Sequence, residues 1–347
     1  MRIVVLAGGT STERDVSISS GAMVYSALKE KGHQVVLLDI FTGYEKDIFD
    51  VDALFKNCYS FTEGIKLGET IADIDEVREA RRDKSNCYIG ENVIDICSCA
   101  DIVFLALHGG EGENGQVQAA FDLLGLKYTG SGYLGSALAM NKGLTKSVLN
   151  QSRILTPAGS IFKSAKDAAK WDVFPCVVKP CSGGSSVGIT IANNGEEYKA
   201  SVGEAFGYGE TEIVVEEYIS GREFSVGVLG GRALPPIEII PNADFYDYKT
   251  KYQVGGATEL CPADITEAED KALREAAEAV FEALHLSSYA RADFILTEDG
   301  RAYCLEANTL PGMTPTSLIP QEAAAEGMSY PDLCEKIIEI SLERYKK

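Results

Sequence analysis

The alternation of strand and helix at the start of the chain is the feature that most restricts its fold. RIVVLAGG is typical of a buried strand, SISSGAMVYSALKEKGH of a helix ending near Gly32, and QVVLLDIF of the next strand. This order predicts a βαβ unit with a parallel sheet. DIVFLALHGG, residues 101–110, predicts another buried strand, and QVQAAFDLLG predicts a helix. The first part of the chain is therefore predicted to be α/β.

After Met140 the pattern changes towards paired strands. NKGLTKSVLNQSRI predicts a helix, FPCVVKP and EIVVEEYISG predict strands, and REFSVGVLGG with ALPPIEIIP predicts a hairpin pair. EAEDKALREAAEAVFEALHL predicts an amphipathic helix, because its apolar residues fall on one stripe, namely Leu273, Ala276, Ala277, Val280, Phe281 and Leu284. YARADFILT and RAYCLEANT predict two strands joined by a turn at Asp299–Gly300, and a final helix closes the chain. This part is predicted to be α+β.

Composition excludes several classes of function. The 347 residues are 45% hydrophobic, which is typical of a globular protein, and the formal net charge is −20. Nucleic acids and anionic membranes are poor partners for a chain this acidic. The first apolar run is too short for a signal peptide, and no run approaches the ~20 residues of a membrane span. Nine cysteines without a CxxC pair predict buried free thiols in a reducing cytoplasm.

The stretch VVKPCSGGSSVGIT, residues 177–190, combines a lysine at the end of a strand with a loop of glycine and serine. Such a loop exposes backbone N–H groups to a phosphate, and Lys179 supplies a positive charge for the same group. The lysine precedes the glycines, so the stretch is not a Walker A loop. A simple hairpin is the alternative interpretation of this stretch taken alone.

Two later strands carry oxygen-bearing side chains. Residues two apart share one face of a strand, so Arg291 and Asp293 point the same way, as do Glu306 and Asn308. If the strands pair through their turn, three oxygen donors and a guanidinium collect on one face. Oxygen ligands suit Mg²⁺ or Mn²⁺ held against phosphates. A solvated salt-bridge face is the alternative, but these strands are otherwise apolar.

The motifs VVKP…GGSSVG, EEYISGREFSV, ARADF and LEANTLPGMTPTSLIP together resemble the ATP-grasp enzymes. With GGTSTERDVSISSG and HGGEGENG the resemblance narrows to the D-alanine–D-alanine ligases, over nearly the whole chain except about 43–98. It implies an ATP-grasp fold with an N-terminal Rossmann-like (pre-ATP-grasp) domain. The expected segments are a substrate-binding domain at 1–139, a small lobe at 140–219 and a catalytic lobe at 220–347.

The resemblance also implies which residues bind ATP and metal. The expected phosphate-contacting residues, including those of the loop over the triphosphate, are Lys142, Lys179, Ser185, Ser186 and Lys251. The expected adenine hinge is Glu216, Glu217, Tyr218 and Ile219, and Glu223 holds the ribose. Two Mg²⁺ or Mn²⁺ ions are expected on Asp293, Glu306 and Asn308, with Glu306 bridging them.

The implied reaction has two steps. The carboxylate of a first D-alanine attacks the γ-phosphate of ATP, and the amine of a second D-alanine then displaces phosphate from the acyl phosphate. Glu13 is expected to bind the first ammonium, with His108 nearby. Arg291 and the Gly312 N–H are expected to hold the oxyanion, and Ser317 with the Leu318 amide the second carboxylate. Tyr252, in a loop expected to cover the site, joins Ser185 and Glu13 in a hydrogen-bond network and favours D-alanine as acceptor.

Departures from the family pattern leave alternatives open. Thr316 stands where the family often has histidine, and Asn114 replaces an aspartate. The chain could use D-serine or D-lactate as the second substrate, or be a catalytically silent ATP-binding regulatory protein. The resemblance further implies a cytoplasmic enzyme of peptidoglycan synthesis and a possible homodimer.

Overall fold

The computed structural model describes residues 1–46, 50–62, 73–183, 188–241 and 257–346. The chain forms two compact units. The first contains Met1–Ser136, Leu286–Ala290 and Thr309–Lys347, and the second contains Ala137–His285 and Arg291–Asn308. Residues 309–347 thus belong to the first unit, whereas the sequence analysis grouped them with the catalytic lobe. The three segments expected from the family resemblance follow its lobes rather than these two compact units, and their boundaries stay a prediction.

The described residues form thirteen strands and thirteen helices. The strands are β1 Arg2–Ala7, β2 Gln34–Asp39, β3 Ile102–Leu105, β4 Gly159–Phe162, β5 Cys176–Pro180, β6 Thr190–Ala192, β7 Ile213–Glu217, β8 Arg222–Leu229, β9 Arg232–Ala233, β10 Ile237–Pro241, β11 Ala257–Leu260, β12 Tyr289–Leu296 and β13 Ala302–Asn308. The helices are α1 Arg14–Glu30, α2 Val51–Lys56, α3 Ile74–Ala80, α4 Val93–Ser98, α5 Gly110–Glu113, α6 Gln116–Leu124, α7 Tyr133–Met140, α8 Lys142–Gln151, α9 Ala165–Ala168, α10 Gly195–Gly207, α11 Glu267–Ala283, α12 Leu318–Ala325 and α13 Tyr330–Glu343.

The first unit is built on a parallel sheet in the order β2-β1-β3. Val4 of β1 is paired with Val36 of β2 and with Val103 of β3, and the central residues of all three strands are buried. Helix α1 packs closely on this sheet, since a Cβ at Gly21 would lie 2.5 Å from the Ala7 Cβ. The βαβ unit predicted from the first residues of the chain is confirmed.

The turn between β1 and α1 needs two glycines. Gly8 and Gly9 have φ angles of +77° and +85°, a region that residues with a Cβ rarely adopt. Buried Asp39 at the end of β2 pairs with Arg14, and Arg14 Nη1 donates to the Gly9 carbonyl at 2.6 Å. This pairing fixes the turn, which places Glu13 at the N-cap of α1.

The segment 43–98, for which the motifs gave no role, packs against the same turn. The Arg81 side chain is almost completely buried, and its guanidinium carbon lies 4.6 Å from the centre of the Phe41 ring. A Cβ at Gly9 would lie 2.5 Å from the Tyr88 hydroxyl oxygen, so Tyr88 covers the turn. The described part of this segment therefore supports the loop that carries Glu13.

The second unit contains two sheets. One has four strands in the order β4-β7-β5-β6, and its core is closed by α10 through Tyr198, Val202 and Ala205. The other has the order β11-β10-β8-β12-β13, with β9 paired to β8. The predicted hairpin is confirmed by the antiparallel pairing of β8 with β10. Strand β4 and helix α10 were not predicted.

Helix α11 follows most of the predicted stripe. Of its six residues, Leu273, Ala277, Val280 and Leu284 are fully buried, whereas Ala276 and Phe281 are half-buried. Thr266 closes the start of the helix in a capping box with Glu269. The capping box satisfies backbone N–H groups that the first turn of a helix leaves without intrahelical partners. The amphipathic helix predicted from the sequence is therefore confirmed.

All nine cysteines lie in the described ranges and are free thiols. Five are buried, but Cys87 and Cys99 are exposed and two others are half-buried, so the expectation of buried thiols holds only in part. Across the same described ranges, we find no helix that combines the length and the apolar character needed to cross a bilayer.

Candidate active site

The second unit contains a cavity of about 370 Å³ between its two sheets. Val177 and Ile191 line it from the four-stranded sheet, and Ile239, Ile295 and Leu305 line it from the other. The expected hinge residues Glu217, Tyr218 and Ile219, together with Glu223, also line the cavity. Its size and largely apolar walls suit a small organic ligand with a flat ring.

The lining of the cavity also contains many charged side chains. Two basic side chains, Lys179 and Arg222, line the cavity together with six carboxylates, which are Glu216, Glu217, Glu223, Glu238, Asp293 and Glu306. Arg222 is committed to Glu238 through two hydrogen bonds of 2.7 Å. A polyanionic ligand would therefore meet an excess of negative charge unless cations accompany it.

Buried Glu216 sits between two lysines. Its carboxylate pairs with Lys146 at 2.7 Å and, in a shorter contact, with Lys179. Burial alone would raise the pKa of Glu216, but the two lysines hold it below its ordinary value. Burial lowers the pKa of Lys179, yet the Glu216 carboxylate outweighs burial and leaves that pKa raised. Glu216 and Lys179 are therefore both charged.

Lys142 is placed by the cap of α8. The Asn141 side chain accepts a hydrogen bond from the Leu144 N–H at 2.9 Å, which makes Lys142 the first helical residue. Its Nζ donates to the Gly183 carbonyl at 2.9 Å and lies 3.3 Å from Glu306 Oε2. Lys142 thus joins the start of the glycine-serine loop to the carboxylate strands.

Strands β12 and β13 pair antiparallel, with Asp293 opposite Glu306 and Arg291 opposite Asn308. The four side chains expected on one face are therefore neighbours. The register shifts after Asp293, because Phe294 pairs with Cys304 and leaves Leu305 as an extra residue. This β-bulge lets the consecutive residues Leu305 and Glu306 both line the cavity.

The Asp293 carboxylate is surrounded by donors. Arg291 donates to it from Nε at 2.9 Å and from Nη2 at 2.8 Å. Ser225 on the neighbouring strand β8 donates at 2.8 Å, and the Asn308 amide donates at 3.3 Å. These bonds fix the carboxylate and hold the Arg291 guanidinium beside the expected metal ligands.

A hard divalent cation prefers oxygen ligands, and the side chains of Asp293, Glu306 and Asn308 supply them. All three offer side-chain oxygens from paired strands, and Asp293 and Glu306 also line the cavity, where carboxylates outnumber basic groups. Within the described ranges no three His, Cys, Asp or Glu residues group as a metal site. The expected set contains only two carboxylates, with an amide as its third member, so a bound cation would keep part of its coordination for water or phosphate.

In the first unit, Glu13 lies beside the loop that follows β3. A Cβ at Gly109 would lie 2.6 Å from Glu13 Oε2, so only glycine leaves room for this carboxylate. The Ser11 hydroxyl accepts a bond from the Glu13 N–H at 3.2 Å and donates to the His108 carbonyl at 2.5 Å. These contacts bring the expected residues Glu13 and His108 together.

Both ring nitrogens of His108 have partners in the first unit. Nδ1 lies 2.8 Å from the Leu310 carbonyl, which can only accept, so Nδ1 carries a proton. Nε2 lies 3.1 Å from the Ser20 hydroxyl, which also accepts from the Met313 N–H at 3.2 Å. His108 and Ser20 therefore hold the loop at 310–313.

Glu113 holds the same loop from the other side. Its carboxylate accepts hydrogen bonds from the N–H groups of Gly109 at 3.0 Å and of Thr309 and Leu310 at 3.1 Å each. Burial raises the pKa of Glu113, the charge of Glu13 raises it further, and the three N–H bonds oppose this. Glu113 therefore links the HGGEGENG loop to the loop that leads to Gly312.

Gly312 lies in the loop before α12, and Ser317 and Leu318 lie at the start of that helix. A Cβ at Gly312 would lie 2.9 Å from Ser317 Oγ, and Ser317 Oγ accepts from the Thr314 N–H at 3.0 Å. Ser317 is the N-cap of α12 and Leu318 its first residue. The first N–H groups of a helix attract anions, which agrees with the carboxylate-binding role expected here.

Four expected site residues, Ser185, Ser186, Lys251 and Tyr252, lie outside the described residues. The structure adds four residues to which the sequence analysis gave no role, namely Ser20, Glu113, Lys146 and Ser225. Lys146 could have been found, because it follows Lys142 by four residues on a predicted helix and therefore shares its face. Glu113 lay within a motif that had been recognised.

Comparison with known proteins agrees with the motifs. The family model described as D-ala D-ala ligase N-terminus matches residues 2–131, a range that includes 43–98. The model described as D-ala D-ala ligase C-terminus matches residues 151–339. The D-alanine--D-alanine ligases of Pediococcus pentosaceus and Lacticaseibacillus casei are each 44% identical to this chain. Those matches cover 97% and 99% of this chain and 97% of each relative.

Solved structures give the same result. The D-alanine--D-alanine ligase from Bacillus anthracis complexed with ATP is 29% identical with a TM-score of 0.72, covering 99% of this chain and 98% of that one. The VanG D-Ala:D-Ser ligase from Enterococcus faecalis is 28% identical with a TM-score of 0.76, covering 98% and 99%. The expected ATP-grasp fold is thereby confirmed. Matches of this extent to both halves of the sequence mean that the chain belongs to the D-alanine–D-alanine ligase family.

Proposed function

We propose that this chain joins two D-alanine molecules into D-alanyl-D-alanine at the expense of ATP, as a step in peptidoglycan precursor synthesis. One observation carries the proposal beyond family membership. The same cavity is lined by apolar side chains from both sheets and by Lys179 with the paired carboxylates Asp293 and Glu306. This combination suits a nucleotide whose base needs apolar contacts and whose phosphates need a lysine and cations.

The base of ATP is assigned to the apolar walls. Val177 and Ile191 contribute from one sheet and Ile239 and Leu305 from the other, so a flat ring would be enclosed on both faces. The segment Glu217–Ile219 lines the same cavity and would offer backbone groups to the ring edge. Glu223, at the start of β8, is assigned to the ribose, where a carboxylate can accept bonds from two hydroxyl groups.

The phosphates are assigned to Lys142 and Lys179, with Ser185, Ser186 and Lys251 expected beside them. Asp293, Glu306 and Asn308 would hold Mg²⁺ or Mn²⁺, which neutralises phosphate charge and polarises the γ-phosphate. The excess of carboxylates lining the cavity supports this assignment, because ATP would otherwise be repelled. The chain's own residues thus position the γ-phosphate for attack rather than bonding to it covalently.

The amino acids are assigned to residues whose charges suit them. Glu13 binds the ammonium of the first D-alanine, and Arg291 with the Gly312 N–H stabilises the oxyanion that forms when the second amine attacks. Ser317 and the Leu318 N–H receive the carboxylate of the second D-alanine. In this assignment His108, Ser20 and Glu113 hold the loop 309–313 and thereby orient the Gly312 N–H.

D-Serine is the second candidate for the acceptor, because a D-Ala:D-Ser ligase is among the structural neighbours. Thr316, in place of the family's frequent histidine, lies next to the residue assigned to the acceptor carboxylate. Tyr252 favours D-alanine by family resemblance.

The cytoplasm is the expected site of the reaction, since ATP is a substrate, and a homodimer is expected from the family.

The test measures phosphate release and product mass with ATP, Mg²⁺ and a panel of D-alanine alone or D-alanine with D-serine or D-lactate. D-Alanine alone should give D-alanyl-D-alanine, one phosphate and one ADP per product. A higher kcat/KM for a mixed product would reassign the acceptor. ATP binding without ADP formation in every mixture would favour a silent ATP-binding protein, and omission of the divalent ion should stop all turnover.

A further inference from the structure

Lys146 is a buried lysine next to the cavity but is not among the described residues that line it. Its Nζ lies 2.6 Å from the Pro157 carbonyl, 3.0 Å from Thr156 Oγ1 and 2.7 Å from Glu216 Oε2. An ammonium group has three N–H donors, and these are three acceptors. The geometry therefore fits the charged form of Lys146 and leaves no donor for a ligand in the cavity.

Glu216 shares its two oxygens between two lysines. Oε2 contacts Lys146 and Oε1 contacts Lys179, and only Lys179 and Glu216 reach the cavity surface. The three side chains together carry one excess positive charge. If Lys146 were neutral, Glu216 would balance Lys179 alone and this group would carry no net charge. In a buried environment a change of one charge acts strongly on a nearby anion.

We propose that Lys146 is a positioning residue that engages Glu216 from behind the cavity and so leaves the charge of Lys179 available to the phosphates of the nucleotide. The inference rests on the proposed function, since it takes a nucleotide as the ligand. Lys146 would act only through Glu216, and its effect would depend on the charge of the ligand rather than on the shape of the base. Burial lowers the pKa of Lys146, and the Glu216 carboxylate opposes this effect. The pKa of Glu216 is lowered by both lysines against the effect of burial, which agrees with a carboxylate that stays ionised.

The first experiment compares ADP with adenosine, because the two ligands share a base and differ in phosphate. Binding to the full-length protein with Mg²⁺ is measured by calorimetry for wild type, Lys146→Met and Lys146→Gln. We expect ADP affinity to fall about tenfold or more, the size of one lost charge-assisted contact, while adenosine affinity stays within about twofold. Lys170→Met, at an exposed lysine of the same unit, is the control and should leave both affinities unchanged.

Equal weakening of ADP and adenosine would show that Lys146 only supports the shape of the cavity, and unchanged ADP affinity would also overturn the proposal. Lys146→Gln keeps hydrogen-bonding capacity towards Thr156 and Pro157, so it tests the charge even if Lys146→Met does not fold. Cooperative urea unfolding of each variant establishes that it is folded before binding is measured.

A double-mutant cycle tests whether Lys146 acts through Glu216. In the Glu216→Gln background there is no carboxylate for Lys146 to engage, so Lys146→Gln should change ADP affinity by less than about threefold. A full tenfold loss in that background would contradict the proposal. Failure of the proposed function is a separate result: wild-type protein that binds ADP but never ligates D-alanine would remove the ligase assignment, whereas the ADP and adenosine comparison would still decide the role of Lys146.

Discussion

Glu113 in the first unit and Glu216 in the second are both almost completely buried, with 8% and 2% of their surfaces exposed, yet their partners differ. Glu113 accepts bonds from backbone N–H groups, whereas Glu216 contacts two lysines. The pKa of Glu113 is raised mainly by burial, while the lysines outweigh burial and lower the pKa of Glu216. The comparison teaches that backbone dipoles can place a buried carboxylate, but neighbouring cations are what keep it firmly ionised.

The largest effect is expected at a third carboxylate, Glu306, which lies beside Lys142 and is assigned to the metal. Glu306→Gln should lower turnover on the order of a thousandfold, because it removes a charge from the cation site. A bound cation stabilises the charge of the transition state by several kcal/mol. The free energy of unfolding should change little. Phosphate-release assays and urea unfolding measure the two quantities. Glu298→Gln, in the exposed turn of the same hairpin, is the control, and equal activity of the two variants would remove the metal assignment.

The next largest effect concerns stability and tests Glu216, the carboxylate of the comparison that contacts two lysines. Glu216→Gln leaves two buried lysines facing an uncharged amide, which should cost about 3 to 5 kcal/mol of unfolding free energy. Urea unfolding measures the loss. Glu212→Gln removes a surface partner of Lys163 just before β7 and should cost no more than about 1 kcal/mol. A cost for Glu216→Gln as small as that of the control would mean that the lysines do not depend on Glu216.

A smaller loss is expected from Glu113→Gln. An amide can replace one accepting oxygen, but its NH₂ group would face a backbone N–H, so we expect a loss of about 1 to 3 kcal/mol. Turnover should also fall, because the loop leading to Gly312 loses one of its anchors. Glu111→Gln, two residues away on α5, is the matched control for unfolding and turnover. A variant with wild-type values in both would show that His108 and Ser20 hold the loop without Glu113.

The smallest effect is a difference in pH dependence. A raised folded-state pKa stabilises the protein at low pH, and this contribution of Glu113 should fade as pH rises above the ordinary value of 4.5. The contribution of Glu216, whose pKa is lowered, should be complete above 4.5 and fade as pH falls below it. Urea unfolding of wild type, Glu113→Gln and Glu216→Gln from about pH 3.5 to about pH 8 measures both contributions. Parallel curves for the two variants would contradict the comparison.

The sequence predicted the parts of the site that depend on short-range pattern. The period of two in ARADF and LEANT was enough to expect Asp293, Glu306 and Asn308 on one face, and β12 and β13 do pair in that register. Family motifs extended this to roles that remain predictions. The same period could not reveal the extra residue at Leu305, because a bulge depends on how the partner strand is paired.

Other features of the site could not be predicted from the sequence, because they depend on contacts between distant segments. In the sequence, Lys146 is one more polar residue on an amphipathic helix. Only the folded structure shows that Glu216 of β7 pairs with it. Glu113 sits in a recognised motif, but its partners Thr309 and Leu310 are far away in the sequence. Tyr88 lies in a segment rich in polar residues, where nothing in the local pattern predicts that it covers Gly9. Burial of a polar side chain is decided by the fold, not by its neighbours along the chain.

The extra residue in β13, Leu305, affects the spacing between the residues assigned to the base and to the cation. On a regular strand, a wall residue and a ligand residue facing the same way would be two positions apart, or roughly 7 Å. The shift at Leu305 places this apolar wall residue directly before Glu306, the carboxylate assigned to the cation, so the step between them is one residue. Removing that residue would lengthen this step without altering the charge of the strand.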